Sequence, residues 1–171
     1  MAADISDRAL VRAKARCAGQ ENIEFLRSDL ISDPLPANFD LIDCSEVLYY
    51  LDDVAQLRAV GGKLRDALAP QGLLLLAHSF ILKDDLRATG FDWEYPFGAA
   101  VIYQMFSELP GLTLERSLVT ELYRIDLFRR TDDGDMAEGP NVQVVPLESD
   151  LEPEVARMVV WGERRRAVST S

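Results

Sequence analysis

Apolar and polar positions alternate along this chain in two rhythms, one helical and one of period two. Ser6 stands ahead of a helix from Asp7 to about Ala18, with Ala9, Leu10, Ala13 and Cys17 on its apolar face. Gly19 sits where a helix terminates. Ile23 to Arg27 reads as a short strand, followed by Ser28-Asp29-Leu30 and the proline-marked loop Asp33-Pro34-Leu35-Pro36. Phe39 to Asp43 is the next strand. Asp52 or Asp53 caps a helix to about Leu68, whose positions Val54, Leu57, Val60, Leu64 and Leu68 follow helical spacing. Pro70-Gln71-Gly72 then turns into Leu73 to Ala77, an unbroken apolar run of the kind found in strands buried on both faces. With a vestigial strand at the start, the order alternates strand and helix, which predicts a parallel sheet.

The second half follows another pattern. An aromatic loop, Phe91 to Phe97, precedes a helix from about Gly98 to Glu108. Leu112 to Leu118 and Leu122 to Arg129 are strands with a link too short for a parallel crossover, so they predict an antiparallel hairpin. Thr131-Asp132-Asp133-Gly134-Asp135 reads as a linker, followed by a strand at Val142–Val145 and a helix at Pro153–Glu163. Residues 1–130 are therefore expected to form the domain, and residues 131–171 a linker and C-terminal extension without a functional signal.

Composition narrows the function. The 171 residues carry a formal charge of −11, which argues against a nucleic-acid backbone or an anionic membrane as partner, because both need clustered Lys and Arg. Arg164-Arg165-Arg166 is short and reads as a solvated helix end. Two cysteines and one histidine, without ligand spacing, argue against a zinc site or a disulfide framework, so no metal is expected. No apolar run reaches the roughly 18 residues a membrane span needs, and no signal-peptide pattern opens the chain, which makes the cytoplasm the expected compartment.

Ligands of open α/β sheets sit beyond the carboxyl ends of the strands. Ser45, Glu46, Tyr49 and Tyr50 follow such an end, as does His78 after the run of leucines. A carboxylate at Asp4 can accept from both hydroxyls of a ribose; taken alone it is an exposed residue near a terminus. Asp29 can accept from an adenine amino group while Leu30 packs on the ring, or it is an ordinary loop aspartate. The faces of Tyr49 and Tyr50 attract a sulfonium cation, or they simply close the sheet against the next helix. His78 can take a proton from an amine or hydroxyl, or it is a hydrogen-bonded structural residue. Trp93-Glu94-Tyr95 serves equally as an acceptor platform or as a satellite apolar cluster.

Three stretches together resemble class I S-adenosylmethionine-dependent methyltransferases of the nodulation protein S (NodS)-like group: Ser45-Glu46-Val47-Leu48-Tyr49-Tyr50-Leu51, Leu68-Ala69-Pro70-Gln71-Gly72-Leu73-Leu74 and Phe97-Gly98-Ala99-Ala100. The resemblance covers residue 3 to about 130, and implies a Rossmann-like open α/β sheet with S-adenosylmethionine as cofactor. It implies Asp4, with Ile5 beside it, at the ribose; Asp29 and Leu30 at the adenine; and Cys44 and Ser45 at the methionine part. Glu46, Tyr49 and His78 would face the acceptor, with Tyr50, Trp93 and Glu94 as substrate contacts. The acceptor it implies is a small amine or amino sugar of an oligosaccharide.

The family's first strand and glycine-rich turn normally precede Asp4, where this chain has Met1-Ala2-Ala3. The expectation is thus an N-terminally truncated version, a fragment of a longer gene or a mis-started frame, that folds poorly or binds cofactor weakly. Its second and third strands would lack the strand joining them to the fourth and fifth. The unpaired edges would invite self-association. A methyltransferase-like remnant acting as an interaction module is the competing reading. A nicotinamide-dependent oxidoreductase is a third, weakened because its fingerprint needs the same glycines.

Overall fold

A computed structural model describes residues 1–83, 90–131 and 141–144. The chain opens with strand β1 (Ala2–Asp4), helix α1 (Asp7–Arg16) and strand β2 (Phe25–Arg27). Strand β3 (Phe39–Ser45) leads through a 3-10 turn (Leu48–Tyr50) to α2 (Val54–Ala67) and β4 (Leu68–Ser79). Helix α3 (Ala99–Ser107) and strands β5 (Leu112–Val119), β6 (Tyr123–Arg130) and β7 (Asn141–Val144) follow.

Local chemistry sets the boundaries. Ser6 caps α1 by accepting from the Ala9 N–H, and Asp53 caps α2 by accepting from Gln56 N–H at 2.8 Å. Gln56 reaches back to Asp52, accepting from its N–H and donating to its carboxylate, which fastens the entry to the helix. The turn expected at Pro70-Gln71-Gly72 lies inside β4 as an irregularity, since Phe39 pairs with Leu68 but Leu41 pairs with Leu73. Glycine is required there: a Cβ on Gly72 would stand 2.8 Å from the Phe39 carbonyl oxygen.

The strands form two sheets. β1 and β2 pair in parallel by themselves, while the larger sheet has the order β3-β4-β6-β5-β7. β3 and β4 are parallel; β6 inserts antiparallel between β4 and β5 as the expected hairpin. Strand β7, in the segment expected to be an extension beyond the domain, pairs in parallel with β5 and so joins this sheet. The helix expected at 153–163 lies outside the described residues.

One face of the larger sheet holds the core. Cys44, Leu74, Leu76, Leu114 and Phe128 pack there against Leu57, Val60 and Leu64 of α2 and Ile102, Met105 and Phe106 of α3. The helices approach so closely that a Cβ on Gly61 would lie 3.1 Å from the Met105 methyl. By strand alternation Leu73, Leu75 and Ala77 point to the opposite face, where they are half-buried. Lys63 ties the two sheets together. Its ammonium, on α2, donates to the carbonyls of Leu30, Ile31 and Asp33 in the loop after β2, at 3.1, 2.6 and 3.1 Å.

Among the described residues, the small sheet is not hydrogen-bonded to the large one and β3 pairs on one side only. Leu41 on that open edge is 57% exposed. Among the described residues, no helix is long and apolar enough to cross a membrane.

Candidate active site

The carboxyl ends of β3 and β4 lie side by side, with Ser45 opposite Ala77 and the Glu46 N–H donating to the Ala77 carbonyl at 2.9 Å. Glu46 then leaves the strand in the left-handed region, at φ 57°. That conformation costs a non-glycine residue about 1–2 kcal/mol, and such strain concentrates where a side chain must be aimed. The turn brings the Glu46 carboxylate over the strand ends and starts the 3-10 segment that carries Tyr49 and Tyr50.

Three hydroxyls converge on that carboxylate. Tyr49 donates to Oε2, Tyr123 donates to Oε1, and Ser79 donates to Oε1 at 3.4 Å. Both phenols are held protonated well above the ordinary tyrosine range, first by burial and then by their bonds to Glu46. Beside them the Ser45 hydroxyl donates to Asp43 at 2.5 Å. Tyr49 is buried and its ring stacks on Tyr95 at 4.7 Å, with Trp93 5.9 Å away. Tyr50, 65% exposed, meets Tyr95 edge-on at 5.0 Å, and Phe91 stacks on Trp93 at 4.4 Å. Glu94, in the same loop, is exposed. The loop thus joins the strand ends as one aromatic wall with a carboxylate at its foot.

Strand geometry places two of the expected site residues in the core. His78 alternates with Leu74 and Leu76, so it points into the core, where its Nε2 accepts from the Leu48 N–H at 3.3 Å. Burial lowers its pKa to about 3. A neutral imidazole with its free lone pair already engaged is no base for an acceptor; it supports the 3-10 turn and the edge of the Tyr49 ring, 5.7 Å away. Cys44 also belongs to the core, and burial, with Asp43 nearby, pushes its thiol up to about 12. Its side chain therefore faces α2 and α3 rather than a ligand at the strand end.

The second group lies on the small sheet. Asp4 ends β1 and accepts from the Ser6 N–H at 2.7 Å, and Ile5 is 56% exposed. Asp29 follows β2; its two carboxylate oxygens accept from the Ile31 N–H at 2.9 Å and the Ser32 hydroxyl at 3.0 Å. These bonds, that to Ile31 foremost, lower its pKa. Asp29 thus shapes its own loop, and Leu30 packs partly against the core. Tyr123 and Ser79 carry no local sequence signal. Tyr123 opens β6 and stands opposite Ser79 only because β6 inserts beside β4, a pairing that no local pattern announces.

Comparison with known proteins decides the family. The family model for nodulation protein S (NodS) matches residues 1–122. The chain belongs to the nodulation protein S family. It is 30% identical over 105 residues to nodulation protein S of Sinorhizobium fredii, covering 61% of this chain and 46% of that protein. With nodulation protein S of Rhizobium tropici it shares 29% identity over 132 residues, covering 77% and 49%. It therefore spans about half the length of the curated relatives it matches. The crystal structure of the N-methyltransferase NodS from Bradyrhizobium japonicum, in complex with S-adenosyl-L-homocysteine, superposes with a TM-score of 0.64 at 26% identity, covering 76% of this chain and 65% of that one. An S-adenosylmethionine-dependent methyltransferase from Clostridium acetobutylicum shares the fold at 12% identity, with a TM-score of 0.61. The Rossmann-like fold of class I methyltransferases, expected from the sequence, is the fold of this NodS-family chain.

Proposed function

We propose that this NodS-family chain takes part in methyl transfer from S-adenosylmethionine to the nitrogen of a small amine or amino sugar. The carboxylate of Glu46, hydrogen-bonded by Tyr49, Tyr123 and Ser79 beneath an aromatic wall, carries this reading. The donor chemistry fits the cofactor: carboxylates at Asp4 and Asp29 suit ribose hydroxyls and an adenine amine, Ile5 and Leu30 offer apolar contact, and Ser45 offers a hydroxyl. When bound, S-adenosylmethionine supplies a methyl carbon activated by its sulfonium. That methyl would pass to the lone pair of the acceptor nitrogen, leaving the C–S electron pair on sulfur, and the methylated nitrogen would lose its proton to solvent. Glu46 accepts an N–H of the acceptor and so turns the lone pair toward the methyl group, the positional part of catalysis. Tyr50, Trp93 and Glu94 line the acceptor's approach, with aromatic faces for a sugar ring and a carboxylate for its hydroxyls.

Two further elements belong to this proposal. We place the reaction in the cytoplasm, which suits the free thiols of Cys17 and Cys44. We also assign the open edge of β3 to self-association; Leu41→Lys is expected to shift the protein toward monomer in sedimentation velocity, and an unchanged distribution removes that edge from any contact.

The test of the reading is amide chemical-shift mapping with S-adenosylhomocysteine. Perturbations are expected at Asp4, Ile5, Asp29, Leu30 and Ser45. Shifts confined elsewhere, or none at millimolar ligand, would refute it. Absence of binding would favour the interaction-module reading.

A further inference from the structure

We propose that Tyr123 is a positioning residue for the acceptor amine, acting through Glu46; this rests on the acceptor side of the function proposed above. The two phenols reach the carboxylate from separate parts of the chain. Tyr49 lies three residues beyond Glu46 on the same turn, whereas Tyr123 comes from the first position of β6, 77 residues away. Each phenol takes a different oxygen, so together they fix the carboxylate plane as well as its position. With Tyr49 alone, the carboxylate would be tethered only to its own turn and free to swing with it. Tyr123 ties that turn to the central strands of the sheet, through its register with Ser79, which donates to the same Oε1.

Charge gives the clamp a direction. Among the described residues, no Lys or Arg forms an ion pair with Glu46, and its hydrogen-bond partners are neutral hydroxyls. Asp43, bound to the Ser45 hydroxyl, lies close enough to raise the Tyr123 phenol further. The Glu46 carboxylate therefore has hydroxyls alone as compensation among the described residues, an arrangement that favours a ligand bringing its own N–H donors or positive charge.

The experiment is an NMR titration with glucosamine, and with N-acetylglucosamine as the neutral control, of the wild type, Tyr123→Phe, Glu46→Gln and the double variant. Phenylalanine keeps the ring and removes only the donor. We expect Tyr123→Phe to weaken glucosamine binding about tenfold, in keeping with the loss of one bond to a charged group, and to leave N-acetylglucosamine binding as it was. In the Glu46→Gln background the Tyr123 change should have no further effect, because its influence runs through that carboxylate. Equal glucosamine binding by the wild type and Tyr123→Phe, additive losses in the double variant, or no glucosamine binding by the wild type would each overturn the proposal. A wild type that binds S-adenosylhomocysteine but not glucosamine refutes this inference and leaves the methyltransferase reading standing. The reverse pattern refutes the methyltransferase reading alone.

Discussion

Arg124→Met is expected to lower the unfolding free energy by about 3–5 kcal/mol, the usual cost of leaving one member of a buried ion pair behind. The Arg124 Nε donates to both carboxylate oxygens of Asp126, at 2.9 and 2.8 Å, and the two side chains are 14% and 5% exposed. The guanidinium carbon also lies 3.3 Å from the centroid of the Tyr103 ring, and Ser117 donates to Asp126 at 2.5 Å. Burial nevertheless raises the Asp126 pKa, so the loss of hydration outweighs both Arg124 and Ser117 even while they hold the carboxylate. Without Arg124 the carboxyl must either remain charged in the core or take up a proton. Urea unfolding of Arg124→Met, with Arg124→Met/Asp126→Asn as control, measures this. The double variant should recover part of the loss, and a single-variant loss below about 1 kcal/mol would mean the pair behaves like an exposed one.

Acid should destabilise the fold through the chain's one histidine. The folded pKa of His78, about 3, lies below the unfolded value of 6.5 because burial penalises the imidazolium. Above pH 6.5 the ring is neutral in both states and stability is unaffected. Below it the unfolded chain takes up a proton that the folded chain refuses, so stability falls by up to about 1.4 kcal/mol per pH unit. Between pH 6.5 and 4.5 the loss amounts to about 2 kcal/mol. Asp126, whose pKa is raised, acts with the opposite sign, gaining stability as pH falls through its folded value. His78→Gln retains an acceptor for the Leu48 N–H but does not titrate. Its urea midpoint should vary much less across this range, and a slope equal to that of the wild type would remove His78 as the cause.

The fold was largely legible because its elements are locally encoded. The cap at Ser6, the apolar face of α2, the leucine run of β4 and the short link between β5 and β6 all act within a few residues. The order of the larger sheet was less accessible, since the insertion of β6 between β4 and β5 and the pairing of β7 with β5 depend on contacts distant in sequence. The site divides in the same way. Glu46 and Tyr49 follow a strand end and could be read there, whereas Tyr123 reaches them from across the sheet. His78 and Cys44 lie in the core for a simpler reason. A strand alternates its faces, so a position level with Leu74 and Leu76 points into the core even at the strand's end. Asp29 was legible as a carboxylate at the end of β2, but not the turn that both of its oxygens shape.

The central claim is methyl transfer to an amine at the carboxyl ends of β3 and β4, and isotope-labelled S-adenosylmethionine tests it most directly. The protein would be incubated with a chito-oligosaccharide bearing one free amine, and the products separated by mass spectrometry. We expect label on the nitrogen of the free-amine oligosaccharide, none on its fully N-acetylated counterpart, and a large loss of transfer with Glu46→Gln. Binding of S-adenosylhomocysteine without transfer to any amine offered, or transfer undiminished by Glu46→Gln, would contradict it.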